Sequence, residues 1–148
     1  MNGQPVSDPR IAQIIAGAIL LCTVAYTVAS VVLVLVGIAP VNQPEPMPES
    51  TTFILGSVLS ATGVMLAAAS FWLRHFLESK LPREGATVQQ RFTAIIVAMA
   101  LSEASGALGL VYVLLIGRLP VALILFGCAI GGCIFHFPTR RVLEPEKP

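Results

Sequence analysis

One acidic residue stands inside a long run of apolar ones. Glu103 lies in Phe92–Gly117, a stretch with no Lys or Arg. Two chemistries are open to such a carboxyl. It can be a protonated acid that hydrogen-bonds Ser102, Thr62 or a backbone carbonyl. It can instead take up and release a proton or cation, or make a polar contact to a partner subunit. Acids inside apolar membrane segments are functional by default, which favours the second chemistry. Other groups offer less. His75 and His136, each followed by Phe, could ligate a b-type haem between the second and fourth apolar runs, flanked by Trp72. Both sit at run edges, where an uncoordinated histidine is the ordinary finding, so no cofactor is expected. Cys22, Cys128 and Cys133 are odd in number and read as small hydrophobes. Cys128 and Cys133 are five apart on one helix, a poor spacing for a disulfide or a metal, and no zinc motif is present. No nucleophile–base pair, phosphate loop or carboxylate pair occurs, and the polar tails and loops are too short for a catalytic domain. No enzyme is expected.

These groups must be held by something other than a soluble core. The chain has 148 residues, of which 55% are hydrophobic and 11% charged, whereas ordinary soluble domains are about 25% charged. Nine Lys and Arg nearly cancel eight Asp and Glu. There is no basic surface for nucleic acid and too little charge for a disordered chain. Four stretches, Ile11–Gly37, Phe53–Leu73, Phe92–Gly117 and Leu119–Phe137, approach or exceed the roughly 20 apolar residues that a bilayer span needs. Backbone groups in lipid have no water to bond, so each must be helical. The alternation of a membrane barrel is absent. As a soluble bundle, four such uncharged runs would aggregate. The fold class expected is an all-α, polytopic membrane protein: one four-transmembrane-helix bundle over residues 1–148, with helices at about 11–37, 53–75, 91–117 and 119–137. The first run is too long for a signal-peptide core and lacks a cleavage site, and neither end carries a lipidation motif.

Turn chemistry marks the boundaries. Ser50, Thr51 and Thr52 offer N-caps for the second helix. Thr87 with Gln90 forms a capping box for the third. Pro120 suits the first turn of the fourth, and Pro138 closes it. Residues 39–50, with Pro40, Pro44, Pro46 and Pro48, read as a stiff extended loop. Orientation follows from the cations. With four spans, one side holds Arg10, the basic 74–91 loop (Arg74, Lys80, Arg83, Arg91), Arg140, Arg141 and Lys147, and the other holds only Arg118. Positive residues stay inside, so both termini are expected in the cytoplasm and the Pro-rich loop outside. The expected location is the cell's inner membrane, as a multi-pass protein.

Glu103 follows Arg91 by twelve residues, roughly 18 Å along a helix and near the middle of a core about 30 Å thick. A charged acid there costs several kcal/mol, so the protonated form is expected at rest. Ala100, Gly106 and Ala107 lie one turn away, and Ala98, Ser102, Ser105 and Gly109 form a small-residue stripe beside it. The second helix has its own stripe, Gly56, Ser60, Gly63, Ala67 and Ser70. Small residues let membrane helices approach closely. Glu103 is therefore expected beside a tight seam between helices two and three. Gly127 and Gly131 make a GxxxG in helix four that points to close packing with another helix, in this chain, a second copy or another membrane subunit. The partners expected are membrane lipids and other membrane subunits.

The run Ala100-Leu-Ser-Glu-Ala-Ser-Gly-Ala-Leu-Gly-Leu-Val-Tyr-Val-Leu-Leu115 resembles the carboxylate helix of the rotary ATPase c-type proteolipids. The resemblance implies that helix two descends to a polar cytoplasmic loop, that helix three rises from it, and that Glu103 is the proton-carrying acid of a larger assembly. The loop departs from that family's Arg-Gln-Pro, reading Leu81-Pro82-Arg83-Glu84, and two further helices flank the hairpin. Through Arg91, Glu103 and Pro138-Thr139 the chain resembles more closely a group of uncharacterised small bacterial four-helix membrane proteins, a resemblance that implies the fold and no function. Arg10-Ile-Ala-Gln-Ile-Ile and Arg91-Phe-Thr-Ala-Ile-Ile open the first and third runs alike, a faint internal echo that places Cys22 where Glu103 stands. The function expected is a small proteolipid-like membrane protein with a proton or ion site at Glu103. The alternative is a non-catalytic accessory subunit that packs through its Gly, Ser and Ala faces.

Overall fold

The computed structural model describes residues 9–38, 48–80 and 88–139. Thr87, Arg83, Arg140, Arg141, Lys147 and the Pro-rich segment up to residue 47 lie outside the described residues. Among those described, the chain is all-helical: α1 (Pro9–Leu35), α2 (Glu49–Lys80), α3 (Val88–Ile116) and α4 (Leu119–Phe135). The first three are long and apolar enough to cross a membrane, and α4 is apolar but only 17 residues long. The 32 residues of α2 reach about 48 Å, well beyond a hydrocarbon core of about 30 Å. Its last turns, with Arg74, Glu78 and Lys80, therefore extend the helix where a polar loop was expected.

The helix ends have local causes. Gly37 and Gly117 take φ of 74° and 72°, a conformation that costs glycine nothing. After α1, Gly37 N–H donates to Val34 O and Ile38 N–H to Leu33 O, the paired bonds of a Schellman cap. After α3 a single bond from Gly117 N–H to Val113 O does the same work. Arg118 and Pro120 then start α4 at once, Pro120 lying where its missing N–H has no helical acceptor. At α2 the expected caps are corrected. The helix already includes Ser50, Thr51 and Thr52, and Pro48 O accepts both the backbone N–H and the hydroxyl of Thr52.

In cross-section, α3 and α4 pack against each other and each touches both α1 and α2, while α1 and α2 barely meet. α1 runs parallel to α3. Ala12 and Ala16 pack with Phe92, Ile95 and Met99 at one end, and Val34 packs with Tyr112 and Val113 at the other. α2 and α4 run against them. The start of α1, the α2–α3 connection and the end of α4 thus share one end of the bundle, where Gln13 Nε2 donates to Pro138 O at 3.4 Å. Polarity is inverted relative to a soluble bundle. Thr23, Ser30, Ser70, Ser102, Ser105 and His136 are fully buried, while Ile14, Leu21, Phe53 and Met65 are about 70% exposed. An apolar exterior this continuous suits lipid or a partner rather than water.

Candidate functional site

The interior is assembled from small residues. Within α2, Gly56, Gly63, Ala67 and Ser70 are buried, and Ser60, half-buried, donates its hydroxyl to Gly56 O at 2.6 Å. Opposite them, α3 buries Ser102, Ser105, Gly106 and Gly109. The approach is close enough that side chains would collide. A Cβ on Gly109 would lie 2.9 Å from Phe126 Cε1, and one on Gly106 would lie 3.1 Å from Ala129 Cβ. One on Gly63 would meet Leu125 and lie 3.5 Å from Ser105 Oγ, and one on Gly132 would run into the Ser102 hydroxyl. The Gly and Ser faces of α2 and α3 are thus consumed inside the bundle, largely by α4. Gly127 and Gly131 behave differently: both are exposed, with nothing within 4 Å of where a Cβ would stand. The α4 glycine that packs closely within the chain is Gly132.

A buried polar chain crosses three helices at the end where the chain termini meet. Ser102 Oγ on α3 donates to Ser70 Oγ on α2 at 3.0 Å, sharing its proton with Ala98 O at 3.1 Å. Ser70 donates to Ala67 O at 2.7 Å, so its oxygen is left to accept. His136 Nε2, just past α4, stands 3.2 Å from Ser70 Oγ. Its Nδ1 lies 3.1 Å from Arg74 Nη1. A guanidinium only donates, so Nδ1 accepts, and the neutral ring carries its proton on Nε2 and gives it to Ser70. Arg74 also donates to Phe135 O at 3.2 Å and pairs with Glu78 Oε1 at 2.8 Å. Phe71 and Phe135 close over the imidazole, with centroids 4.8 and 5.5 Å away. Both ring nitrogens of His136 are occupied, so neither is free for a haem iron. His75 is exposed beside Phe71, Arg74 and Glu78. Among the described residues no group of three or more His, Cys, Asp or Glu side chains could hold a metal.

Glu103 is not in this chain. It sits mid-helix in α3, 15 residues after Val88 and 13 before Ile116. One residue turns a helix by about 100°, which carries Glu103 away from Ser102 toward the α1 side, in line with Ile96 and Leu110. Both are half-buried: Ile96 packs against the cluster that includes Ala12 and Ala16 of α1, and Leu110 against the Tyr112–Val113 cluster that Val34 of α1 also packs on. The carboxyl lies within electrostatic reach of Cys133, whose thiol is 3.9 Å from Thr23 Oγ1 of α1 and 4.0 Å from Met99 O. Among the described residues Glu103 makes no side-chain hydrogen bond or ion pair. The partners named for it from sequence are placed otherwise: Ser102 is committed to Ser70 and Ala98, and Thr62 is exposed. The half-buried Glu103 stands one residue from Ser102, which bonds Ser70 across the α2–α3 seam, on the flank of α3 that turns toward α1. Ser105 Oγ, one turn beyond Ser102, is a buried hydroxyl with no hydrogen-bond partner among the described residues.

The polar chain through Arg74, Ser70, Ser102 and His136 was not singled out from sequence as a unit. The available signal was Ser70 and Arg74 at i, i+4 on one face of α2, a spacing that aligns two donors along a helix. Comparison with protein-family models, curated proteins and solved structures finds no match to this chain.

Proposed function

We propose that this chain is a small, non-enzymatic integral membrane protein in which Glu103 takes up and releases a proton or cation within a larger membrane assembly. The observation that carries the reading is a half-buried carboxyl at the middle of an apolar helix, without a hydrogen bond or ion pair among the described residues. A carboxyl fixed by a structural hydrogen bond would be tied to one protonation state. An unpartnered one at a helix flank is free to gain a proton from water or meet a partner's cation, and to lose it there again. The similarity of Ala100–Leu115 to the proteolipid carboxylate helix supports the same role for Glu103. The distribution of cations supports insertion in an inner membrane with four spans and both termini cytoplasmic. The parallel course of α1 and α3, and the gathering of α1's start, the α2–α3 connection and α4's end, are what that topology requires.

Dicyclohexylcarbodiimide tests this. It couples to protonated carboxyls in apolar surroundings. The reading expects labelling of Glu103 in native membranes at neutral pH, increasing on acidification and abolished in Glu103→Gln. No labelling at any pH would overturn it. A second reading has a specific observation behind it. Gly127 and Gly131 open outward from α4 with clear space beside them, which suits an accessory subunit that docks another membrane helix there. That reading expects Glu103→Gln to weaken assembly rather than proton uptake.

A further inference from the structure

At the end of the bundle opposite the polar chain, α2, α3 and α4 leave a cleft of about 330 Å³. Its size is at the low end for small-molecule sites, about 300–1,000 Å³. Glu49 and Arg118 both line it, with Tyr112, Phe53, Gly56 and Val121. Among the described residues the Arg118 side chain makes no hydrogen bond or ion pair, and neither does the Glu49 carboxylate. An anion site and a cation site therefore face one small cavity with neither spent on the protein itself. The Tyr112 ring is buried. Its hydroxyl makes no hydrogen bond among the described residues and lies 3.5 Å from where a Gly56 Cβ would stand. The missing side chain of Gly56 thus keeps a third polar group reachable. Phe53, 74% exposed, and Val121 provide an apolar wall running toward the bundle exterior.

We infer that this cleft binds a phosphoethanolamine-type zwitterion, as the headgroup of a membrane lipid or as the free compound. The phosphate would take Arg118 and the Tyr112 hydroxyl, the ammonium Glu49, and an acyl chain the Phe53–Val121 wall. Arginine suits the phosphate through its bidentate fork, and a carboxylate rejects a purely anionic headgroup by repulsion. The inference rests on the membrane reading above, which places this end at the outer interface. In the bilayer interior an open guanidinium would be costly. At the interface it meets headgroups.

The test is native mass spectrometry of the full chain from nanodiscs that contain equal phosphatidylethanolamine and phosphatidylglycerol, with soluble O-phosphoethanolamine titrated as competitor. Retention of phosphatidylethanolamine over phosphatidylglycerol is expected. Arg118→Gln should lower retention more than tenfold, the scale of losing a charge-assisted phosphate contact. Glu49→Gln should erase the preference while keeping binding. Gly56→Leu, which fills the cleft, should abolish both. Displacement of the lipid by the soluble compound at low concentration would make the free compound the ligand, and resistance to it would make the lipid the ligand. Equal retention of the two lipids, or wild-type retention by Arg118→Gln, overturns the inference. A chain that fails to float with vesicles at all overturns the membrane reading itself, and a chain that floats without lipid preference overturns only the cleft.

Discussion

Arg74 Nη1 and His136 Nδ1 lie 3.1 Å apart, joining the penultimate turns of α2 to the residue that ends α4. The contact fixes the imidazole tautomer, because only His136 can accept in it. It also completes a polar clasp of three side-chain bonds between helices: Arg74 to His136, His136 to Ser70, Ser102 to Ser70. Replacing His136 by Leu removes one partner each from Arg74, which keeps Glu78 and Phe135 O, and from the buried Ser70 oxygen, which keeps Ser102. The loss expected is about 1–3 kcal/mol, read as a shift in reversible SDS unfolding of the purified chain. An unshifted curve would mean that the clasp contributes nothing.

Gly132 faces Ser102 so closely that an added Cβ must displace both Oγ and Cβ of the serine. Gly132→Ala is expected to cost about 1–3 kcal/mol as overpacking. Combined with Ser102→Gly, which clears the space, the double variant should lose less than the sum of the two single variants. The same unfolding measurement in a double-mutant cycle checks it, and strict additivity would contradict the contact.

Gly127 and Gly131 have open space around them. Gly127→Leu is therefore expected to leave the stability of the isolated chain within about 0.5 kcal/mol of wild type. If another helix docks on this face, the same variant shifts the assembly to smaller species in native mass spectrometry. Destabilisation of the isolated chain itself would place the glycine in an internal contact that the fold does not contain.

Topology has a direct readout. Ser79 and Thr51 are exposed near opposite ends of α2. In a cysteine-free background, a membrane-impermeant maleimide added to intact cells should label Thr51→Cys and leave Ser79→Cys unlabelled until the membrane is opened. The reverse pattern would invert the orientation inferred from the cations.

The helices were legible in the sequence because their signal is local: long runs without Lys or Arg, ended by Gly37, Gly117 and Pro138. The inward face of α2 was legible too, since Gly56, Ser60, Gly63, Ala67 and Ser70 alternate spacings of four and three along one side; all are buried but Ser60, which is half-buried. The direction of Glu103 was not. In α3 nearly every side is apolar or small, so periodicity has no polar face to contrast with a buried one. Ser102 and Ser105 flank Glu103 in sequence, but a turn of about 100° separates consecutive residues, so the sequence alone does not say which neighbouring helix the carboxyl faces. The polar chain was hidden for a different reason. Ser70 and His136 are 66 residues apart, and no local pattern pairs residues at that range.

If Glu103 carries a proton, proton flux through the assembly depends on its carboxyl. Liposomes that hold the wild-type protein in the assembly with which it purifies, or the same assembly with Glu103→Gln, are given a potassium-diffusion potential while an internal pH dye is followed. Flux is expected with wild type and none above empty vesicles with Glu103→Gln, at equal assembly and helix content. Equal flux from the two proteins, or a variant that fails to assemble, would contradict it.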